Sequence, residues 1–142
     1  MKSGVHRIRV ITAGLVITYR GKFLLLYDGH YKHYVQSYGH TRKSESYRQT
    51  AWREAREETG FKNIEIIRKI GQYRYNFLRN NVKTYKTVHV FLARLQDLKK
   101  MKSKTSFDRK YSPHFFTASE AIKKCRWPQD KKLLQIAKKI KT

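Results

Sequence analysis

Cysteine is nearly missing from this chain: Cys125 is the single one among 142 residues. One cysteine excludes an intrachain disulfide and any multi-cysteine zinc site. It reads as an ordinary residue beside a helix rather than a nucleophile. Proline and glycine are scarce, at two and seven, which excludes a linker-rich or collagen-like chain. No apolar run approaches the roughly 18–20 residues of a membrane span. The opening residues, Met1 to Arg7, lack the apolar core of a secretory signal, so the expected compartment is the cytoplasm, with no membrane partner. The largest deficit is in negative charge. Ten acidic residues stand against 33 lysines and arginines, a formal net charge of +23. Such an excess excludes an ordinary neutral enzyme surface. It calls for polyanionic partners: nucleic acid, nucleotides, inositol phosphates or anionic lipid.

What remains is enough for one folded unit, a single domain over 1–142. Hydrophobic residues make up 39% and can build a core; aromatics at 13% exceed what disordered basic tails carry. On composition alone, a ribosomal or other nucleic-acid packing protein is the simple reading.

Residues 8–19 are rich in β-branched side chains and predict a strand, with Ala13-Gly14 a candidate interruption. Arg20-Gly21 predicts a turn, and Lys22 to Tyr27 a short buried strand. Tyr47 to Glu58 has no Gly or Pro and is rich in Ala, Arg and Glu, which predicts a helix capped by Ser44 or Ser46 and ended at Gly60. Two strands are predicted around Gly71, Ile64 to Ile70 and Gln72 to Leu78, then a turn at Arg79-Asn80-Asn81 and a long strand from Thr84 to Leu95. Lys99 to Lys110 predicts a basic loop, and Phe115-Phe116 a short strand. Thr117 to Glu120 has the form of a capping box opening a short helix. A last helix starts at Pro128, with Asp130 at its positive end and Leu133, Ile136, Ala137 and Ile140 on one face. Strands around a central helix, with two helices closing the chain, predict a mixed sheet covered by helices.

Four of the ten acidic residues lie between 45 and 58: Glu45, Glu54, Glu57 and Glu58. On a helix, positions 54, 57 and 58 share one face and repel one another. A solvated acidic face relieved by Arg53 and Arg56 is one reading. A magnesium or manganese site is the other, because hard divalent cations take clustered carboxylate oxygens.

Gly39, Glu45, Arg53, Glu54, Ala55, Glu57, Glu58, Gly60 and Phe61 together resemble the Nudix box position by position. The pattern is Gly, five residues, Glu, seven residues, Arg-Glu-apolar-x-Glu-Glu-x-Gly-apolar. Ala55 is smaller than the usual aliphatic. The resemblance implies an α/β fold, a Nudix-type α/β/α sandwich with a mixed β-sheet and the Nudix-box loop-helix. It also implies a hydrolase that cuts the pyrophosphate bond of a nucleoside diphosphate linked to another moiety, with Mg2+ or Mn2+. By this resemblance Glu54, Glu57 and Glu58 are the metal ligands, one of them positioned to activate water. A backbone carbonyl at Tyr38 or Gly39 adds a ligand, and Arg53 orients the carboxylates. Glu45 and Gly60 are structural in the box.

Two further segments narrow the implied activity. His33 to His40 is similar to the segment entering the box in asymmetric dinucleoside tetraphosphate hydrolases, and Lys86 to Ala93 to a Lys-Thr-Val strand of that subfamily. This implies His33, His40, Lys86 and His89 as substrate contacts, although a solvated lysine and a packed His89 are the plainer alternatives. Ser37-Tyr38 replaces the subfamily's usual Pro-Lys before the box glycine, and Arg42 and Ser44 make the box loop unusually basic. Asp97 and Asp108 are the candidates for a base outside the box. A nucleobase needs a stacking wall, for which Tyr73 and Tyr75, with Phe77 on the same strand face, are candidates; Tyr85, Tyr111 and Trp127 are others. The expected substrate is a dinucleoside polyphosphate such as diadenosine tetraphosphate. The alternatives are hydrolysis at the 5′ end of RNA and a non-catalytic RNA-binding protein. Residues 99–142 carry a net +11, enough to track a phosphate backbone.

Overall fold

The computed structural model describes residues 4–102 and 111–140. Strand β1 (His6–Tyr19) turns at Arg20-Gly21 into β2 (Lys22–Asp28). Both turn residues have positive φ, which glycine adopts without cost. Two short strands, β3 (His33–Val35) and β4 (Ser37–His40), lead to helix α1 (Tyr47–Thr59). Then come β5 (Ile64–Arg79), β6 (Val82–Leu95), β7 (Tyr111–Phe116), α2 (Ala118–Lys124) and α3 (Pro128–Ala137).

All seven strands form one sheet. The path runs β3-β2-β1-β6-β5, with β4 added to β1 and β7 to β2. The β1–β6 pair is parallel and the others antiparallel, so the sheet is mixed. Its two faces build two cores. Ala13, Leu15 and Ile17 of β1 point one way and pack with Ala51 and Ala55 of α1. Val16, Val88, Val90 and Leu92 point the other way, onto Ala121 of α2 and Leu133 and Leu134 of α3. Alternation along the strands assigns each side chain its face, and the result is an α/β/α sandwich.

Several expectations are corrected. β1 is continuous through Ala13-Gly14, because β4 and β6 pair with both residues from either side. β5 is one strand, not two. It absorbs irregularities between Ile66 and Arg68 and between Lys69 and Gly71, and Gly71 sits where a Cβ would press on Leu133 of α3 at 2.9 Å. That glycine serves helix–sheet packing rather than a break. Of the predicted 99–110 loop, residues 103–110 lie outside the described ones; before them, Lys100 bridges to Phe61 and Met101 donates to the Gly60 carbonyl, tying this stretch to the end of α1. On α3, Leu134 replaces Ile136 on the inner face, and Ile136 is exposed. Asp130 stands in the first turn of α3, as expected, and is fully buried there.

Other expectations hold. Ser46, not Ser44, caps α1 through a capping box with Gln49, and Gly60 ends the helix in the left-handed region. Thr117 and Glu120 form the expected box on α2. Among the described residues no helix is long and apolar enough to cross a membrane.

Candidate active site

The box begins on β4 and ends on α1. These two elements touch through Gly39, where a Cβ would overlap the Glu54 carboxylate. Glycine there is a condition of the close approach.

Arg53 is the hub of the acidic island. Its Nε donates to Glu45 at 2.6 Å, and its Nη1 donates to Glu54 at 2.9 Å and to Glu57 at 3.4 Å. Its Nη2 also donates to the His40 carbonyl at 3.3 Å. The repulsion among carboxylates is thereby relieved by one guanidinium, whose own pKa rises in their company, through the Glu45 bond first. Glu45 also accepts from Thr50 and from the Arg42 backbone, and the Arg53 bond foremost holds its carboxyl down to about 2. Glu58 accepts a 2.6 Å bond from Ser37 on β4.

The backbone adds an oxygen. Thr41 N donates to the Ile11 carbonyl, which phases the β1–β4 ladder. In that phase Gly39 is bonded to Ala13, and the Tyr38 carbonyl turns outward, beside the His40 carbonyl that Arg53 holds. Of the two backbone candidates, Tyr38 is the one left facing away from β1.

As their side chains stand, no three acidic, histidine or cysteine groups among the described residues converge on one ion-sized point. Arg53 draws Glu54 and Glu57, and Ser37 draws Glu58. The donor chemistry nonetheless fits a hard divalent cation: three glutamates within two turns of one helix, next to an outward carbonyl.

Two neighbouring cavities, which share Tyr38 and Trp127 in their linings, form a cleft beside this island. One cavity, about 360 Å³, is lined by Tyr73, Tyr75, Lys86, Gln129, Tyr38 and Trp127. The other, about 430 Å³, is lined by Glu58, His33, Tyr31, Tyr111 and again Tyr38 and Trp127, with Arg79 reaching in from the β5–β6 turn. Tyr73, Tyr75 and Phe77 stack along one strand face at centroid distances of 6.2 and 6.1 Å, and the Lys86 ammonium lies 5.8 Å from the Tyr75 ring. His33 meets Trp127 edge-on at 5.9 Å. His40 shares a cross-strand row with Thr12, Val88 and Tyr73. Partial burial and then the nearby Lys86 lower its pKa.

The structure therefore gathers His33, His40, Lys86, Tyr73 and Tyr75 at the cleft. It does not bring His89 there. His89 points to the α1 face, stacked on Tyr47 at 3.9 Å and 2.8 Å from Lys69 Nζ. Tyr85 faces away as well. Asp97 bonds Asn63 and the Lys99 backbone at the far end of β6, remote from the cleft, and Asp108 lies outside the described residues. Cys125 is buried, and burial pushes its thiol up to about 11, so it is no nucleophile.

Asp130 was missed as a site residue. It hydrogen-bonds the Tyr38 hydroxyl, which lies on the same side of the sheet as Tyr73. The available signal was spacing: Asp130 precedes Leu133, Leu134 and Ala137 by three, four and seven residues, which puts it on the buried face.

A family model described as NUDIX domain matches residues 8–135. The chain belongs to the Nudix family of pyrophosphate-cleaving hydrolases. Among solved structures it is similar to the C. elegans Ap4A hydrolase, at 23% identity and TM-score 0.67, covering 92% of this chain and 96% of that one. The MutT protein from Bacillus halodurans gives 18% identity and TM-score 0.69, covering 91% and 82%. The Bacillus subtilis pyrophosphohydrolase BsRppH gives 20% and 0.55, covering 74% and 61%. At such identities these likenesses show the shared fold. A search of curated proteins returns no match.

Proposed function

We propose that the protein is a divalent-metal-dependent pyrophosphohydrolase acting on dinucleoside polyphosphates. One observation carries the reading: two neighbouring cavities, each walled by aromatic rings, share Tyr38 and Trp127 in their linings, and one of them is also lined by the box carboxylate Glu58. A substrate with a base at each end and a phosphate chain between has that shape. Tyr73 and Tyr75 offer a stacking wall at one end, Tyr31 and Trp127 at the other. Lys86 lines one cavity and His33 the other, and in this reading both contact phosphate.

Glu54, Glu57 and Glu58, with the Tyr38 carbonyl, would hold Mg2+ or Mn2+. When bound, such an ion lowers the pKa of water and neutralises charge on phosphate oxygens. Arg53 holds Glu54 and Glu57 in register beside that site. Glu58, bonded to Ser37, is the carboxylate exposed to the cleft and the one placed to take a proton from attacking water.

The test is an assay with magnesium and, in turn, diadenosine tetraphosphate, triphosphorylated RNA and free nucleoside triphosphates, with products identified. Glu57→Gln and Glu58→Gln are expected to lower turnover about 10²–10⁴-fold, with thermal melts unchanged. Turnover that survives both substitutions or metal chelation rejects the catalytic reading. RNA 5′-end hydrolysis is the second reading, favoured by the excess positive charge; cleavage of triphosphorylated RNA in preference to the dinucleotide selects it.

A further inference from the structure

We propose that the outer half of the β1–β6–β5 ribbon binds single-stranded RNA on the face opposite the cleft. Register places Arg9, Tyr85 and Asn76 in one row and Ile11, Thr87 and Arg74 in the next. Alternation turns these side chains to the α1 face, while the intervening row of Val10, Lys86 and Tyr75 supplies the floor. Together they line a groove of about 480 Å³. One row further out, Arg7 and Lys83 stand side by side on the same face.

The charge on this groove has one sign. No acidic residue occurs from 4 to 27 or from 66 to 96, so the outer half of the ribbon carries no counter-charge; Glu65, the acidic residue of β5, pairs with Arg94 at the other end. Like-facing rows recur about 6.8 Å apart along a strand, so an extended polyanion can meet one cation after another. The groove also offers planar surfaces. The Arg9 guanidinium lies 5.9 Å from the Tyr85 ring centroid, and unpaired bases stack on both kinds of plane. A duplex keeps its base faces covered and cannot use them. These features favour a single strand.

The site is independent of the catalytic reading, since Arg9, Arg74, Lys83 and Tyr85 do not line the cleft. The experiment measures fluorescence anisotropy of a labelled single-stranded oligoribonucleotide bearing a 5′ hydroxyl, with the full chain, over a salt series. A duplex of the same sequence runs in parallel. The expected result is tighter binding of the single strand, with a steep salt slope. The triple variant Arg9→Ala, Arg74→Ala, Lys83→Ala reduces that slope by about 2. Tyr85→Ala weakens binding about tenfold without changing the slope, and Tyr85→Phe restores it. All these variants keep wild-type nucleotide hydrolysis and melting temperature. Equal binding of duplex and single strand, or an unchanged slope in the triple variant, overturns the proposal. If no form hydrolyses any nucleotide but the RNA losses stand, the catalytic reading fails and the RNA site holds.

Discussion

Asp130 lies in the first turn of α3, fully buried, with its Oδ2 facing no hydrogen-bond partner. Burial pushes its carboxyl up to about 6, against the Tyr38 hydroxyl and a Gln36 backbone bond, which favour the ionised form. The direction for Tyr38 is also upward, from burial first and then from Asp130. A carboxyl whose folded value lies above its unfolded value of about 3.9 holds a proton in the folded state that the unfolded chain has lost. Its contribution to stability therefore falls as pH rises from about 4 to about 6, and levels off above that. Asp130→Asn removes this loss. Relative to wild type, the variant should gain on the order of 1–3 kcal/mol between pH 4 and pH 7 in urea unfolding. A constant difference across that range would show that Asp130 does not titrate as described. Glu45 has the opposite sign: its value of about 2 makes its contribution complete above about 4.5 and lost as pH falls towards 2. Comparing the Asn variant with wild type cancels that term.

Elements meet at few points, and Gly39 is one of them. β4 is only four residues long, yet it carries the box entry, the outward carbonyl and the partner of Glu58. It can do so because Gly39 lets the Glu54 side chain lie against its backbone. Gly39→Ala should destabilise by about 1–3 kcal/mol through overpacking. It should also depress kcat/KM on diadenosine tetraphosphate, by displacing Glu54. Thermal melts and steady-state kinetics on the same preparation check both halves. A variant with normal stability and normal kinetics would mean that β4 and α1 can separate freely. Gly14 plays a related part on β1, where a Cβ would meet the Ser37 carbonyl and the Tyr38 ring. Two glycines on adjacent strands thus set how closely β4 approaches its neighbours.

At the scale of the whole molecule the charge dominates. A net +23 attracts anionic molecules to the protein, and such steering is screened by salt. Raising ionic strength from about 50 to about 500 mM should lower kcat/KM for diadenosine tetraphosphate about tenfold or more, with kcat changing less. A salt-independent kcat/KM would show that association is not steered. The box, its helix and its caps were legible in the sequence because they are local: spacing on one helix puts three glutamates on one face, and a capping box needs four residues. The single-sign charge was legible by counting. Folding alone decided the rest. Whether Gly71 breaks a strand or seats Leu133, whether His89 packs on Tyr47 or lines the cleft, and whether Asp130 meets solvent or Tyr38 all depend on which element lies across the sheet. Such contacts join residues far apart in the chain, as Asp130 and Tyr38 are, and no local pattern encodes which face of a distant strand a side chain will meet.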